Sequence, residues 1–249
     1  MATATASRSL SQPSSRYDRV FYGGMAITMG LVAFVGFART YYLSWYFGTH
    51  GTISGGPLTA VVHIHAALFT AWVLLFVAQT SLVATHRVAV HRRMGVAVAV
   101  LAGLMVAAGT TIAIATARRG GAPPGISPEQ FLAIPLGDIA GFATLVAIAL
   151  WMRRNKEMHK RLMLLAYLAI LAAAVARFPG VLPLGPLAFY GFTFIPFLAA
   201  VVIYDWVTRG RVHPVYLWGG GLLIASVPLR LMISTTPAWH RLAGALIGR

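Results

Sequence analysis

The chain has 249 residues, 58% of them hydrophobic and only 10% charged, where a soluble domain carries about a quarter; the surplus apolar surface needs lipid. Twenty Lys and Arg against five Asp and Glu give a formal charge of +15, but they stand in short segments between long apolar runs, which excludes a nucleic-acid-binding domain. The absence of cysteine removes disulfides, thiolate metal sites, iron–sulfur clusters and cysteine nucleophiles.

Residues 1–19 are polar and rich in Ser, Thr and Ala, and read as a disordered tail ahead of a transmembrane domain over residues 20–249. The tail lacks a hydrophobic stretch followed by a cleavage site, so no cleaved signal peptide is expected. A span needs roughly 20 apolar residues to cross a hydrocarbon core about 30 Å thick. The first runs from Val20 to Ala38 and on to about Phe47, and the second from about Leu58 to Ala84. The third covers Met94 to Ala117, and the fourth about Phe131 to Met152, interrupted by Asp138. The fifth covers about His159 to Ala176, the sixth Leu187 to Val207, and the seventh Pro214 to Ser234. The fold class is all-α, a polytopic transmembrane helical bundle of about seven spans, or six if one of the last two is re-entrant. Gly- and Pro-rich stretches at residues 48–57, 120–125, 179–186 and 209–211 read as loops.

Orientation follows from the distribution of Lys and Arg. Thirteen of the twenty lie on the side of residues 8–19, 87–93, 153–161 and 209–211. The other seven are Arg39, Arg118, Arg119, Arg177, Arg230, Arg241 and Arg249. The N-terminus is therefore expected in the cytoplasm.

Ionisable residues at membrane depth are costly and are functional candidates by default. In the second span His65, Trp72, Gln79 and His86 recur every seven residues, which on a helix keeps them on one face. That stripe reads either as interhelical packing glue or as the wall of a cofactor or ligand site. His63 lies about 200° around the helix from His65, so one of the two faces the bundle and the other a neighbour. In the outer half, Arg39, His63, His65, Asp138, Arg177, Tyr190 and Arg230 share a depth. Three arginines against one aspartate suit an anionic guest: a carboxylate, a phosphate or the propionates of haem b. The alternative is that each arginine snorkels to the headgroups, with Asp138 pairing one of them. At the inner edge His86, His91 and His159 supply imidazoles for a metal ion or a haem, or anchor to anionic headgroups; Asp205 and His213 lie on that side too.

The segments His63–Trp72, Val83–Gly95 (Val-Ala-Thr-His-Arg-Val-Ala-Val-His-Arg-Arg-Met-Gly), His159–Met163 and Tyr204–Pro214 resemble a family of uncharacterised bacterial multi-pass membrane proteins. That resemblance implies the bacterial inner membrane and transfers no activity. More loosely, the architecture is similar to cytochrome b-type and oxidase-assembly membrane proteins. The reading placed first is a haem-, metal- or quinone-binding redox protein. Behind it stand a proton or small-anion transporter, an accessory subunit with a membrane-complex partner, and a lipid-acting enzyme.

Overall fold

The computed structural model of the protein describes residues 15–49, 51–54, 56–123 and 125–249; the expected tail over residues 1–14 lies outside them. Seven helices are long and apolar enough to cross a membrane, and the protein is a multi-pass membrane protein. The spans are α1 (Ser15–Phe37), continued by a π-helical turn over Ala38–Tyr42, α3 (Ala60–Ala84), α4 (Val88–Arg118), α5 (Pro128–Trp151), α6 (Lys156–Val175), α7 (Pro186–Arg209) and α8 (Pro214–Ser234). Two short helices, α2 (Ser44–Phe47) and α9 (Pro237–Ile247), lie outside them. The first helix starts at Ser15, five residues ahead of the charge gap at Val20, so the expected tail shortens by that much.

Helix starts carry their own signals. Ser127 accepts the Gln130 N–H at 3.2 Å while the Gln130 side chain accepts the Ser127 N–H at 3.3 Å, a reciprocal cap ahead of Pro128. Asn155 caps α6, His213 caps α8 and Thr236 caps α9.

The centre of the bundle is α6. Leu162, Leu164–Ala169, Leu171, Ala172 and Ala174–Ala176 are all buried. Around it run α1, α3, α4, α5, α8 and α7, each packed on the next, and the Phe21 ring stacks on Tyr204 (3.8 Å, 4°) to close α1 against α7. Of these six, α1, α5, α7 and α8 pack on α6. Exposed Ile27, Leu31, Val35, Leu74, Val96, Val100, Ile195 and Ile203 make the outside apolar, as a lipid solvent requires. Exposed Tyr17, Trp151 and Trp206 ring one end and Trp45 and Tyr46 the other, where amphipathic rings meet headgroups.

The two ends differ in what they enclose. At the end where α1 begins, α1, α6 and α7 meet in a cluster of charges. At the other end α1 crosses α6 so closely that a Cβ on Gly36 would run into the Ala174 carbonyl. Beyond that crossing the π-helical turn widens the backbone, as such turns often do at functional sites, and a cavity opens.

Candidate functional site

The charged end is closed on itself. Arg161 and Asp205 are both 0% exposed. The guanidinium donates Nη2–H to Oδ1 (2.8 Å) and Nε–H to Oδ2 (3.3 Å), a two-pronged bond. Arg161 Nη1 also binds Glu157 (2.5 Å), and Arg209 binds Asp205 (2.7 Å) and Asp18 (2.6 Å). Lys160 donates to Asp18 and to Glu157, both at 2.6 Å, and the Tyr204 hydroxyl donates to Asp18 at 2.6 Å. Three acids meet three bases, so the net charge there is zero. Asp205 Oδ2 also accepts the His213 backbone N–H at 3.1 Å. His213 turns its Nδ1 to the Val215 N–H (3.2 Å); burial first, then the Arg161 charge, hold this imidazole below its ordinary pKa.

The heptad stripe turns inward over three of its four members. His65 lines the cavity, Trp72 is 1% exposed and Gln79 is buried. His86 is the correction. Helix α3 ends at Ala84, and His86 takes a left-handed φ of 63° in the turn, where its exposed ring accepts a bond from Arg19 Nη1 (2.8 Å). His63 points away from the bundle, exposed, with Nδ1 3.1 Å from the Tyr41 hydroxyl.

The inner histidines do not assemble a metal site: among the described residues no group of three His, Asp or Glu is placed to hold an ion. His91 and His159 face each other with ring centres 6.4 Å apart. The Gln79 amide, oriented to satisfy both its ends, donates to His91 Nδ1 (2.6 Å) and accepts the Gly95 N–H (3.2 Å). That puts the His91 proton on Nε2, the nitrogen an iron would need. His159 Nδ1 donates to the Ala149 carbonyl (2.8 Å). His65 is the one histidine on the cavity wall among the described residues, and Phe69 covers its ring at 4.1 Å. His50 lies outside the described residues. His91 and His159 lie outside the cavity lining, so among the described residues the cavity offers a haem one imidazole, that of His65.

Of the three outer arginines, Arg230 takes the aspartate. Its Nη1 donates to Asp138 Oδ1 (2.5 Å), the Tyr190 hydroxyl (2.8 Å) and the Ile134 carbonyl (3.2 Å), and Tyr190 donates to the same Oδ1 (2.7 Å). Gly137 makes the room: a Cβ there would sit 2.8 Å from Arg230 Nε. Arg39 is exposed on the π-helical turn and outside the cavity lining, so it drops from the predicted cluster. Arg177 remains. All five acids of the chain are bound to other bases, Glu129 to Arg249 (3.1 Å) being the last, so Arg177 has no carboxylate to meet. The expected excess of two positive charges is an excess of one.

That one charge lines a cavity of about 570 Å³ between α1, α3, α4, α5, α6 and the start of α7, within the range of roughly 300–1,000 Å³ usual for small-molecule sites. Phe37, Phe69, Phe131, Ile134, Ile170 and Phe189 form apolar walls. The Arg177 guanidinium lies over the Phe37 ring at 4.2 Å and donates Nη1–H to the Ala173 carbonyl. Burial alone draws its pKa down to about 10, so the charge persists at neutral pH. Four cavity-lining polar groups are buried with no hydrogen-bond partner among the described residues: Arg177 Nε, His65 Nδ1, Thr40 Oγ1 and the Tyr167 hydroxyl. Each buried polar group left unmet costs about 1–3 kcal/mol, and native structures tolerate few. Trp72, stacked edge-on to Phe142 at 4.9 Å, lies one heptad further along α3 than His65, outside the cavity lining.

Spacing in the sequence pointed to His65 and Asp138; Thr40 and Tyr167 it missed. Tyr167 is the single polar side chain between Arg161 and Arg177, and that isolation was the available signal. The chain matches no family model, no curated protein and no solved structure.

Proposed function

We propose that the protein binds a lipophilic small molecule with an anionic head group in the cavity at the far end from its charge cluster. The observation that carries this reading is Arg177: a half-buried cation, with every acid of the chain engaged elsewhere and its buried Nε unmet among the described residues. A carboxylate or phosphate would take the guanidinium in the two-pronged geometry that arginine favours. His65 Nδ1 and Thr40 Oγ1 would then bond its remaining lone pairs, and the phenylalanine walls would hold the tail. On the Lys and Arg distribution, this cavity faces away from the cytoplasm; on the motif resemblance, the membrane is the bacterial inner membrane.

A quinone is the second reading. The flat rings of Phe69, Phe131 and Phe189 beside a histidine suit an aromatic head whose carbonyl accepts from His65.

The test is thermal unfolding of the detergent-solubilised protein with laurate or with a short-chain ubiquinone. Laurate is expected to raise the midpoint of the wild type and leave Arg177→Gln unmoved. Stabilisation by the quinone alone, lost in His65→Ala and kept in Arg177→Gln, selects the second reading.

A further inference from the structure

The four unmet polar atoms do not lie at one depth. His65 lies eleven residues up α3 from Phe76, whose ring meets Tyr167 edge-on at 5.0 Å. Tyr167 lies on α6 ten residues before Arg177, which follows the end of that helix and folds back onto the Ala173 carbonyl. At 1.5 Å rise per residue the α3 interval places the Tyr167 ring about 15 Å deeper than His65. The cavity therefore carries a polar head end and, across an apolar stretch, one hydroxyl at its floor.

That hydroxyl has no role in packing. Tyr167 is 2% exposed and its ring meets Phe76 within the buried core, so a phenylalanine ring would fill the same volume. A buried tyrosine normally finds a partner for its O–H. The Tyr42 hydroxyl, another group on the cavity wall, is engaged with Thr70 Oγ1 at 2.7 Å.

We infer that the ligand is an elongated amphiphile with a second oxygen function at its far end: an anionic head on Arg177, an apolar chain, and a terminal hydroxyl or carbonyl bonded to Tyr167. This rests on the reading of Arg177 as the head-group site and adds the tail to it. An ω-oxygenated lipophilic acid has that form, and fully extended ω-hydroxylaurate is close to the required length.

The experiment is direct binding of laurate, ω-hydroxylaurate and the shorter pair caprylate and ω-hydroxycaprylate, by titration calorimetry on wild type, Tyr167→Phe and Arg177→Gln. The wild type is expected to prefer ω-hydroxylaurate over laurate by roughly three- to tenfold, the worth of one net hydrogen bond. Tyr167→Phe should erase that preference while still binding laurate, and ω-hydroxycaprylate, whose hydroxyl stops short, should gain nothing over caprylate. Equal affinity of the wild type for the two long acids, or a preference that survives in Tyr167→Phe, overturns the inference. Arg177→Gln separates the two claims. If it binds both long acids as tightly as wild type, the head-group reading fails, whereas laurate bound through Arg177 without ω-hydroxyl preference leaves the head standing and sinks only the tail.

Discussion

The two ends of the bundle use the same chemistry to opposite effect. At the charged end Asp18, Glu157 and Asp205 are matched by Lys160, Arg161 and Arg209, and the fully buried Arg161–Asp205 pair has donors and acceptors on every side. At the cavity end Arg177, His65, Thr40 and Tyr167 line an open volume with polar atoms unmet. The pair Arg230–Asp138 sits between these cases, buried and satisfied yet on the cavity wall through Asp138. A polar group that is paired at depth holds helices together. One that is left unpaired beside a space marks where something else binds.

The largest expected effect breaks the closed end. Asp205→Ala removes the two-pronged partner of the buried Arg161 and leaves it only the half-exposed Glu157, and losing one partner of a buried pair costs up to about 3–5 kcal/mol; thermal unfolding should show a large drop in midpoint. Arg177→Gln, at the open end, should leave the midpoint unchanged or raise it, because it removes a charge that has no partner. Equal losses in the two variants would erase the distinction between the ends.

Next in size is the stabilisation by ligand. At about a hundredfold over its dissociation constant a ligand adds about 2.7 kcal/mol, so saturating laurate should recover most of what a milder variant loses. Such a variant is Gly137→Ala. Its Cβ would displace the Arg230 guanidinium, 2.8 Å away, an overpacking worth about 1–3 kcal/mol; infrared bands of the Asp138 carboxyl should shift with it.

The smallest effect is one of pH. The folded chain holds His213 below its ordinary pKa, with Nδ1 accepting the Val215 N–H. The unfolded chain takes up the proton first as pH falls through about 6.5. Stability should therefore be full above that value and decline below it. Asn at this position keeps a capping oxygen, so His213→Asn should unfold at a midpoint that no longer falls across this window.

The spans were legible because hydropathy is summed over twenty residues at a time: α3 ends at Ala84, as the charge gap indicated, and α8 has the predicted bounds. Helical periodicity likewise placed His65, Trp72 and Gln79 on the inner face, since it needs only a straight helix. It failed at His86, where the helix had already ended. Pairing was not legible. Nothing in the sequence says that Asp138 goes to Arg230, 92 residues away, and not to Arg177 or Arg39, because the choice is made by helix packing and by the room at Gly137. Tyr167 reads as core in an Ala- and Leu-rich helix until the space beside it is known. The short α9, held by the Trp239 Nε1–H bond to the Glu129 carbonyl (2.7 Å), was missed because eleven amphipathic residues give no span signal.

Native mass spectrometry of the protein released from its own membrane tests most directly whether the cavity is a lipophilic-anion site. The account predicts that the wild type retains one small lipophilic acid per chain and that Arg177→Gln retains none while staying folded. A variant that keeps the same adduct, or a wild type whose adducts exchange freely with bulk phospholipid, would contradict it.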